Sequence, residues 1–310
     1  MRRIISVILV VLIGSVLHAQ HVVEIGVRAG VAGYKAKCEY VSPIANLHAG
    51  LQLSYTYHAP KVVGVRVGVL LERHSAGFGK KGIYEDSYTT IDVENDQMQV
   101  DYWLDNLREM HHTWSVGIPA QLALSWKNAH LYIGPKAVFP LACRWKETTG
   151  YPSALQVYYP RYDNRVYEST QLAASRAFSE QRQGKRALQT VQWWLSAEIA
   201  YDIPLTTVKK SWYARGSSYK SFLSIGFYAD YSFSQEKSTG EGPVSLLMLS
   251  DTRDGFPLQR ILTPVVEAQR QGTKLVSAWQ PFDVGIKVTY AIAPFNPYKK
   301  THCNCIQDIY

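Results

Sequence analysis

The stretch "TWSVGIPAQLALSW", Thr113–Trp126, has an apolar residue at every even position and a tryptophan near each end. Ser, Gly, Pro, Gln and Ala occupy the odd positions between the tryptophans. A period of two is typical of a β-strand with one apolar and one polar face. The two tryptophans are twelve residues apart, about 40 Å of strand at ~3.3 Å per residue. A tilt of ~45° reduces this length to roughly 28 Å, so the stretch is long enough to cross the hydrocarbon core of a bilayer.

The same alternation recurs along the chain and predicts eight strands of about nine to fifteen residues. The predicted strands are Val23–Val31, Ala45–Tyr57, Val63–Leu71, Thr113–Trp126, Leu131–Trp145, Val191–Tyr201, Leu223–Phe233 and Phe282–Ile292. Three prolines, Pro119, Pro135 and Pro140, fall inside these segments and need bulges or strand ends to hold them.

Short and long connections alternate between the predicted strands. "HAPKV" and "KNA" join two successive pairs, whereas residues 72–113, 146–190 and 234–281 separate others. Hydrocarbon cannot satisfy backbone N–H and C=O groups, so strands cross it only in a closed sheet. We therefore predict an all-β fold, an eight-stranded antiparallel transmembrane β-barrel with short periplasmic turns and long extracellular loops. A soluble β-sandwich is the alternative, but its strands are usually shorter and its turns regularly short.

The first residues predict export. "MRRIISVILVVLIGSVLHAQ" has two arginines, a short apolar run and a small residue at Ala19, the layout of a signal peptide. The predicted organisation is a signal peptide at 1–19, a barrel at 20–293 and a periplasmic C-terminal tail at 294–310. Without Arg2 and Arg3 the formal charge falls from +8 to +6. The remaining basic residues are scattered, so nucleic acid is not an expected partner.

The polar faces of the predicted strands carry a balanced set of charges. An eight-stranded barrel is filled by its own side chains, and unpaired buried charge is costly, so these residues are predicted to pair. A narrow path for ions or small solutes is the alternative. The predicted interior network contains Glu24, Arg28, Arg66, Lys136, Glu198, Asp230, Asp283 and Lys287. The same faces include His48 and Arg144.

Aromatic residues near the strand ends predict two girdles at the membrane interfaces, where amphipathic rings are enriched. The predicted girdle residues are Trp114, Trp126, Trp145, Trp193, Tyr201 and Tyr290.

Three segments together resemble the small outer-membrane β-barrel domain proteins of Gram-negative bacteria, the porin-like or OmpA-like barrels. They are "WSVGIPAQLALSW", "HLYIGPKAVFPL" and "FDVGIKVTYAI", with Ile118–Pro119, Gly134–Pro135 and Gly285–Tyr290 at the positions of that family's "IP", "GP" and "GVKVGY" patterns. The resemblance extends from about residue 22 to 293. It implies an eight-stranded outer-membrane barrel and no common catalytic residues. The tail after the last strand departs from the family pattern.

Other candidate sites are weaker. The run "HCNC", His302–Cys305, lacks the ligand spacing of a closed zinc site. His111 and His112, near Asp105 and Glu109, have residue types suitable for acid–base chemistry, but the sequence fixes no geometry, and a solvated loop is expected. No catalytic, cofactor or metal site is therefore predicted.

The long loops are rich in tyrosine, and "YPSALQVYYPRYDNRVY" is the densest part. Tyrosine provides rigid amphipathic contact surface, so these loops either pack on one another or meet a partner. We predict a non-enzymatic protein with a structural or interaction role, as in a subunit of an envelope or secretion assembly. Its expected partners are outer-membrane lipid and envelope proteins reached through the loops or the tail. A small porin-like channel and a barrel enzyme acting on surface lipid or peptide are the two alternatives.

Overall fold

A computed structural model describes most of the chain between residues 20 and 294. The described ranges are 20–58, 63–91, 95–147, 152–168, 183–186, 188–207, 219–237, 245–250 and 259–294. The predicted signal peptide, the tail after residue 294 and the "HCNC" run therefore lie outside the described residues. Within the described ranges, no helix is long and apolar enough to cross a membrane.

The chain alternates between long strands and shorter ones. The elements in order are β1 (Gln20–Cys38), β2 (Ser42–His58), β3 (Val63–Gly79), β4 (Ile83–Ile91), β5 (Gln97–Asp105), β6 (Arg108–Trp126), β7 (Ala129–Glu147), β8 (Pro152–Tyr159), a 3₁₀ turn (Pro160–Tyr162), β9 (Asn164–Glu168), β10 (Gln183–Arg186), β11 (Gln192–Thr207), β12 (Tyr219–Ser232), β13 (Glu236–Lys237), β14 (Leu247–Ser250), β15 (Gln259–Leu262), β16 (Gln269–Arg270), β17 (Thr273–Lys274) and β18 (Val276–Pro294).

Eight long strands close into a barrel. Each pairs antiparallel with its neighbour in the order β1, β2, β3, β6, β7, β11, β12 and β18, and β18 returns to β1. The seam is continuous from Val23, opposite Ile292, to Lys37, opposite Ala278. The predicted eight-stranded fold is confirmed, and the soluble sandwich is excluded. β10 and β13 extend the wall at one end by pairing with β7 and β18.

The wall has an apolar outside and a polar inside. Along β3, Val65, Val67 and Val69 are exposed, whereas Arg66 and Glu72 are buried. The same alternation on all eight strands surrounds the barrel with large exposed aliphatic residues. Such a surface is stable in hydrocarbon, where a closed sheet leaves no backbone group unpaired. The chain is therefore a transmembrane β-barrel of the outer-membrane type.

Gly30 and Gly285 allow a close backbone approach at the seam. They face each other on β1 and β18, and a Cβ on Gly30 would collide with the carbonyl oxygen of Val284. Neither residue puts a side chain into the lumen, so space remains there for the side chains of the neighbouring strands.

A bulge in β7 corrects one predicted girdle residue. Trp114 pairs with Ala142 and Ser115 pairs with Pro140, which leaves Leu141 as an extra residue beside the proline. One extra residue exchanges the two faces of a strand. Trp145 is consequently 7% exposed and points inward, so its assignment to a girdle is wrong. Arg144, expected inside, is exposed for the same reason.

A hydrophobic core formed by loop strands covers one end of the barrel. β4, β5, β8 and β9 form a four-stranded sheet in that order, and we call this sheet with the segments packed on it the cap. Its buried core draws on both the loop strands and the upper barrel wall. The members are Val41, Phe78, Tyr84, Met98, Val100, Tyr102, Leu104, Leu107, Leu246, Leu247, Val265, Val266, Ala268, Leu275, Val276 and Trp279. The long loops thus pack on one another above the lumen.

Candidate functional site

The lumen contains a salt-bridge layer near the end where β1 begins and β18 ends. Arg66 on β3 lies 2.8 Å from Glu24 on β1 and 2.9 Å from Glu198 on β11. Lys287 on β18 contacts Glu198 and lies 3.7 Å from Glu24. The Arg66 guanidinium also stacks on the Tyr132 ring, 4.3 Å from its centroid. Two cations and two carboxylates therefore neutralise each other across the barrel.

A second layer, which we call the charge ring, lies deeper in the lumen. It consists of Arg28 on β1, Glu72 on β3, Lys136 on β7 and Asp230 on β12. Arg28 lies 3.0 Å from both carboxylates, and Lys136 lies 2.6 Å from Glu72 and 2.8 Å from Asp230. The four residues lie on every second strand of the wall, so positive and negative side chains alternate around the lumen.

The two layers fill the cross-section of the barrel. All eight of the predicted interior residues lie inside and are at most 3% exposed. Buried charges are tolerable only when they are paired, and each of the four cations and four carboxylates in the two layers has at least one ion-pair partner. Glu72 was missed from the sequence because β3 was predicted to end at Leu71, one residue before it.

A histidine layer follows on the cap side of the charge ring. His48 and His74 lie directly opposite each other on β2 and β3, and their ring centroids are 4.9 Å apart. His74 Nδ1 lies 2.9 Å from Asp283 of β18, and His74 Nε2 lies 3.0 Å from Ser115 Oγ. His48 Nδ1 lies 2.5 Å from the Tyr228 hydroxyl. The predicted interior included His48 and Asp283, whereas His74 lies beyond the predicted end of its strand.

A cavity of about 40 Å³ separates the histidine layer from the cap. This volume exceeds what one water molecule needs. The lining on the side of the histidine layer is polar and includes His74, Ser115 and Asp283. The lining on the side of the cap includes His111, Cys143 and Trp279.

Glu109 and His111 attach the cap to the wall. His111 Nε2 lies 2.7 Å from Glu109 Oε1, and the backbone N–H of Val265 donates to Glu109 Oε2 at 2.8 Å. His111 is buried in β6, so the expectation of a solvated loop is wrong for this residue. His112, its neighbour, is half-buried and contacts Ser75.

A buried carboxyl group lies inside the cap. Asp86 on β4 accepts hydrogen bonds from the Tyr102 hydroxyl at 2.9 Å and from the Ser245 hydroxyl at 3.1 Å. Burial raises the pKa of Asp86 above its usual value despite these donors. Burial likewise raises the pKa of Tyr102 well above its ordinary range, so the tyrosine stays protonated and donates.

Five of the six predicted girdle residues, all except Trp145, are exposed on the outside of the wall. They are Trp114, Trp126, Trp193, Tyr201 and Tyr290. Cys38 and Cys143 are both free thiols. Cys303 and Cys305 lie outside the described residues.

The solved structures that are similar to this chain include two outer-membrane proteins. One is Ail, the attachment invasion locus protein of Yersinia pestis, in complex with the heparin analogue sucrose octasulfate, with 10% identity, coverage of 89% of this chain and 99% of that one, and a TM-score of 0.31. The other is the outer membrane protein OprG from Pseudomonas aeruginosa, with 10% identity, coverage of 88% and 95%, and a TM-score of 0.26. At these values the likeness adds nothing to the closed barrel described above. No family model and no curated protein matches the chain.

Proposed function

We propose that this protein is a non-enzymatic outer-membrane barrel that presents its cap to a partner protein of the cell envelope. In this proposal the barrel is an anchor closed by its salt bridges, and the cap is the working surface. The observation that carries the proposal is an open sheet edge on the cap, at β4.

β4 is an end strand of the four-stranded sheet and pairs only with β5 among the described strands. It has two large apolar residues on its exposed face, Ile83 at 52% and Ile91 at 61% exposure. Soluble proteins usually protect such edges with charges, prolines or bulges because an exposed edge pairs readily with another chain. An extended peptide segment of the partner would add a strand along β4, with pockets for its alternate side chains.

The cap is rigid enough to serve as a recognition surface. Its core contains sixteen buried residues, and Tyr102 joins Asp86 to the backbone of Leu247 through hydrogen bonds at 2.9 and 3.3 Å. A preformed surface loses less conformational entropy on binding than a mobile loop. The salt bridges argue against the porin-like alternative, because the charged side chains that would line a path contact one another across the lumen.

The placement of the cap follows from the plan of outer-membrane barrels, in which short turns face the periplasm and long loops face outward. We accordingly propose residues 1–19 as a signal peptide, an extracellular cap, and residues 294–310 as a periplasmic tail. The tail is a second candidate contact for envelope partners.

The test is recovery of a stoichiometric partner from the outer membrane in mild detergent. The double variant I83K/I91K places two charges on the open edge and should abolish recovery. The matched control I83V/I91V keeps the edge apolar and should retain the partner. Recovery of no partner by the unmodified protein, or equal recovery by I83K/I91K, would refute the proposal.

A further inference from the structure

The histidine layer has the composition of a metal site. One donor atom from each of His48, His74 and Asp283 lies within 4.8 Å of a donor atom from each of the other two. We propose that these three side chains bind a divalent transition-metal ion inside the barrel, with zinc as the best match. Two imidazoles and one carboxylate, with a fourth position left open, form a common ligand set for this ion.

Both imidazoles are oriented as metal ligands usually are. A ligating histidine normally engages a hydrogen-bond partner through its other ring nitrogen, which fixes the tautomer and the ring position. Tyr228 holds Nδ1 of His48 at 2.5 Å, and Ser115 holds Nε2 of His74 at 3.0 Å. The nitrogens left to face an ion are therefore Nε2 of His48 and Nδ1 of His74, and His74 Nδ1 already lies 2.9 Å from Asp283 Oδ2.

The nitrogen of His48 that remains is an unsatisfied buried polar atom. His48 is 1% exposed, and its Nε2 has no hydrogen-bond partner among the described residues. Glu72 Oε1 lies 3.7 Å from this nitrogen, which is too far for a hydrogen bond. Leaving such an atom unpaired destabilises the folded state, and a bound cation would remove that cost.

The charges around the site favour a cation. Arg28 and Lys136 both contact Glu72 and Asp230, so these four charges of the ring cancel. Within the described part of the lumen, the hydrogen-bond and ion-pair partner of the Asp283 carboxylate is His74. One carboxylate is therefore left to be compensated by a histidine proton or by a metal ion.

The space is also suitable. Ligand atoms of a tetrahedral zinc site lie roughly 3.3 Å apart, given bond lengths of about 2.0–2.1 Å. The three donor atoms lie within 4.8 Å of one another and would have to approach by up to roughly 1.5 Å to reach that spacing. The cavity borders His74 and Asp283, so a water molecule can occupy the fourth position from the cap side. Gly30, opposite His48, and Gly285 on β18 add no side chains of their own between the ligands.

The test uses untagged, folded mature chain in detergent, with C303S/C305S as the common background because those thiols are alternative ligands. After dialysis against zinc, this protein should retain one equivalent of zinc, and added Co²⁺ should give the absorption of a tetrahedral or five-coordinate site. H48Q, H74Q and D283N should each lose more affinity than Y228F, for which an outer-shell loss of about 10–100-fold is expected.

The matched control is H112Q, which removes a histidine from the adjacent strand without touching the cluster, and its zinc affinity should be unchanged. The absence of retained zinc and of a cobalt spectrum in the background protein would overturn the proposal and leave a protonated His74–Asp283 pair as the content of the site. Equal binding by H48Q, checked as folded by its β-sheet circular dichroism, would also overturn it. Neither result bears on the partner at the cap edge.

Discussion

Lys136 and Asp230 meet across the lumen at 2.8 Å, although β7 and β12 are separated in the wall by β11. Arg28 reaches the same carboxylate from the opposite side, at 3.0 Å. The charge ring thus connects strands that share no backbone hydrogen bonds. Its ion pairs, which we call braces, link non-neighbouring strands across the lumen.

Removal of one brace should destabilise the barrel strongly. Lys136→Met leaves Glu72 and Asp230 with Arg28 as their shared cation, and breaking a buried ion pair costs about 3–5 kcal/mol. Denaturant unfolding in detergent measures the change. Lys146→Met is the control, since Lys146 lies on the same strand but is exposed, and a loss within about 0.5 kcal/mol is expected. Similar losses for the two variants would contradict the role of the ring.

The filled lumen predicts an electrically silent barrel. In a planar bilayer the unmodified protein should give no steady current. The quadruple variant E24A/R66A/E198A/K287A removes the layer nearest the chain ends, but the charge ring remains and should keep the barrel closed. A steady current through the unmodified protein would show that the side chains do not seal the interior.

The bulge at Leu141 predicts that two tryptophans respond differently to lipid. Trp126 is 77% exposed on the outer wall and Trp145 is 7% exposed inside. In vesicles of brominated lipid, Trp126→Phe should reduce the quenched fraction of the fluorescence, because this substitution removes a lipid-facing ring. Trp145→Phe should leave the amplitude of quenching unchanged. Comparable effects of the two substitutions would show that Trp145 faces lipid and would contradict the bulge at Leu141.

Asp86 predicts a pH dependence of the cap. Its pKa is raised by burial, so the folded cap binds a proton more tightly than the unfolded chain does. The cap is then most stable when the carboxyl is protonated, and it loses stability as the pH rises from the unperturbed value of 3.8 through the raised pKa. Limited proteolysis of the cap across this range measures the loss.

Asp86→Asn is the matched variant for that measurement, since it keeps an acceptor for Tyr102 and Ser245 without an ionisable group. Its proteolysis rate should vary less with pH than that of the unmodified protein. The same pH profile in both proteins would assign the dependence to another group.

The wall of the barrel was predictable because a strand with one face toward lipid alternates apolar and polar residues along the sequence. All eight predicted strands occur, and each is longer in the structure; Val63–Leu71 is part of Val63–Gly79. The extension was hidden because "ERHSAGFG" after Leu71 loses the apolar alternation once the wall meets the cap instead of lipid. Glu72 and His74 were missed as interior residues for that reason.

The alternation of apolar and polar residues predicts neither the position of the bulge nor the cap. Nothing local distinguishes Leu141 as the extra residue, although Pro140 signals that the ladder is interrupted nearby. The cap core joins Tyr84, Leu246 and Val265, which are far apart in the chain. Such a core depends on long-range packing that no periodicity encodes.

The pairing of β1 with β18 has a consequence for biogenesis. The ring is joined by its first and last strands, so the wall remains an open ribbon with two bare edges until β18 has paired with β1. The contacts of Lys287 with Glu24 and of Asp230 with Arg28 link the two halves of that ribbon. A chain that ends before β18 would therefore keep both edges bare, and it would lack Asp283 and Lys287, which are ion-pair partners of His74 and Glu198.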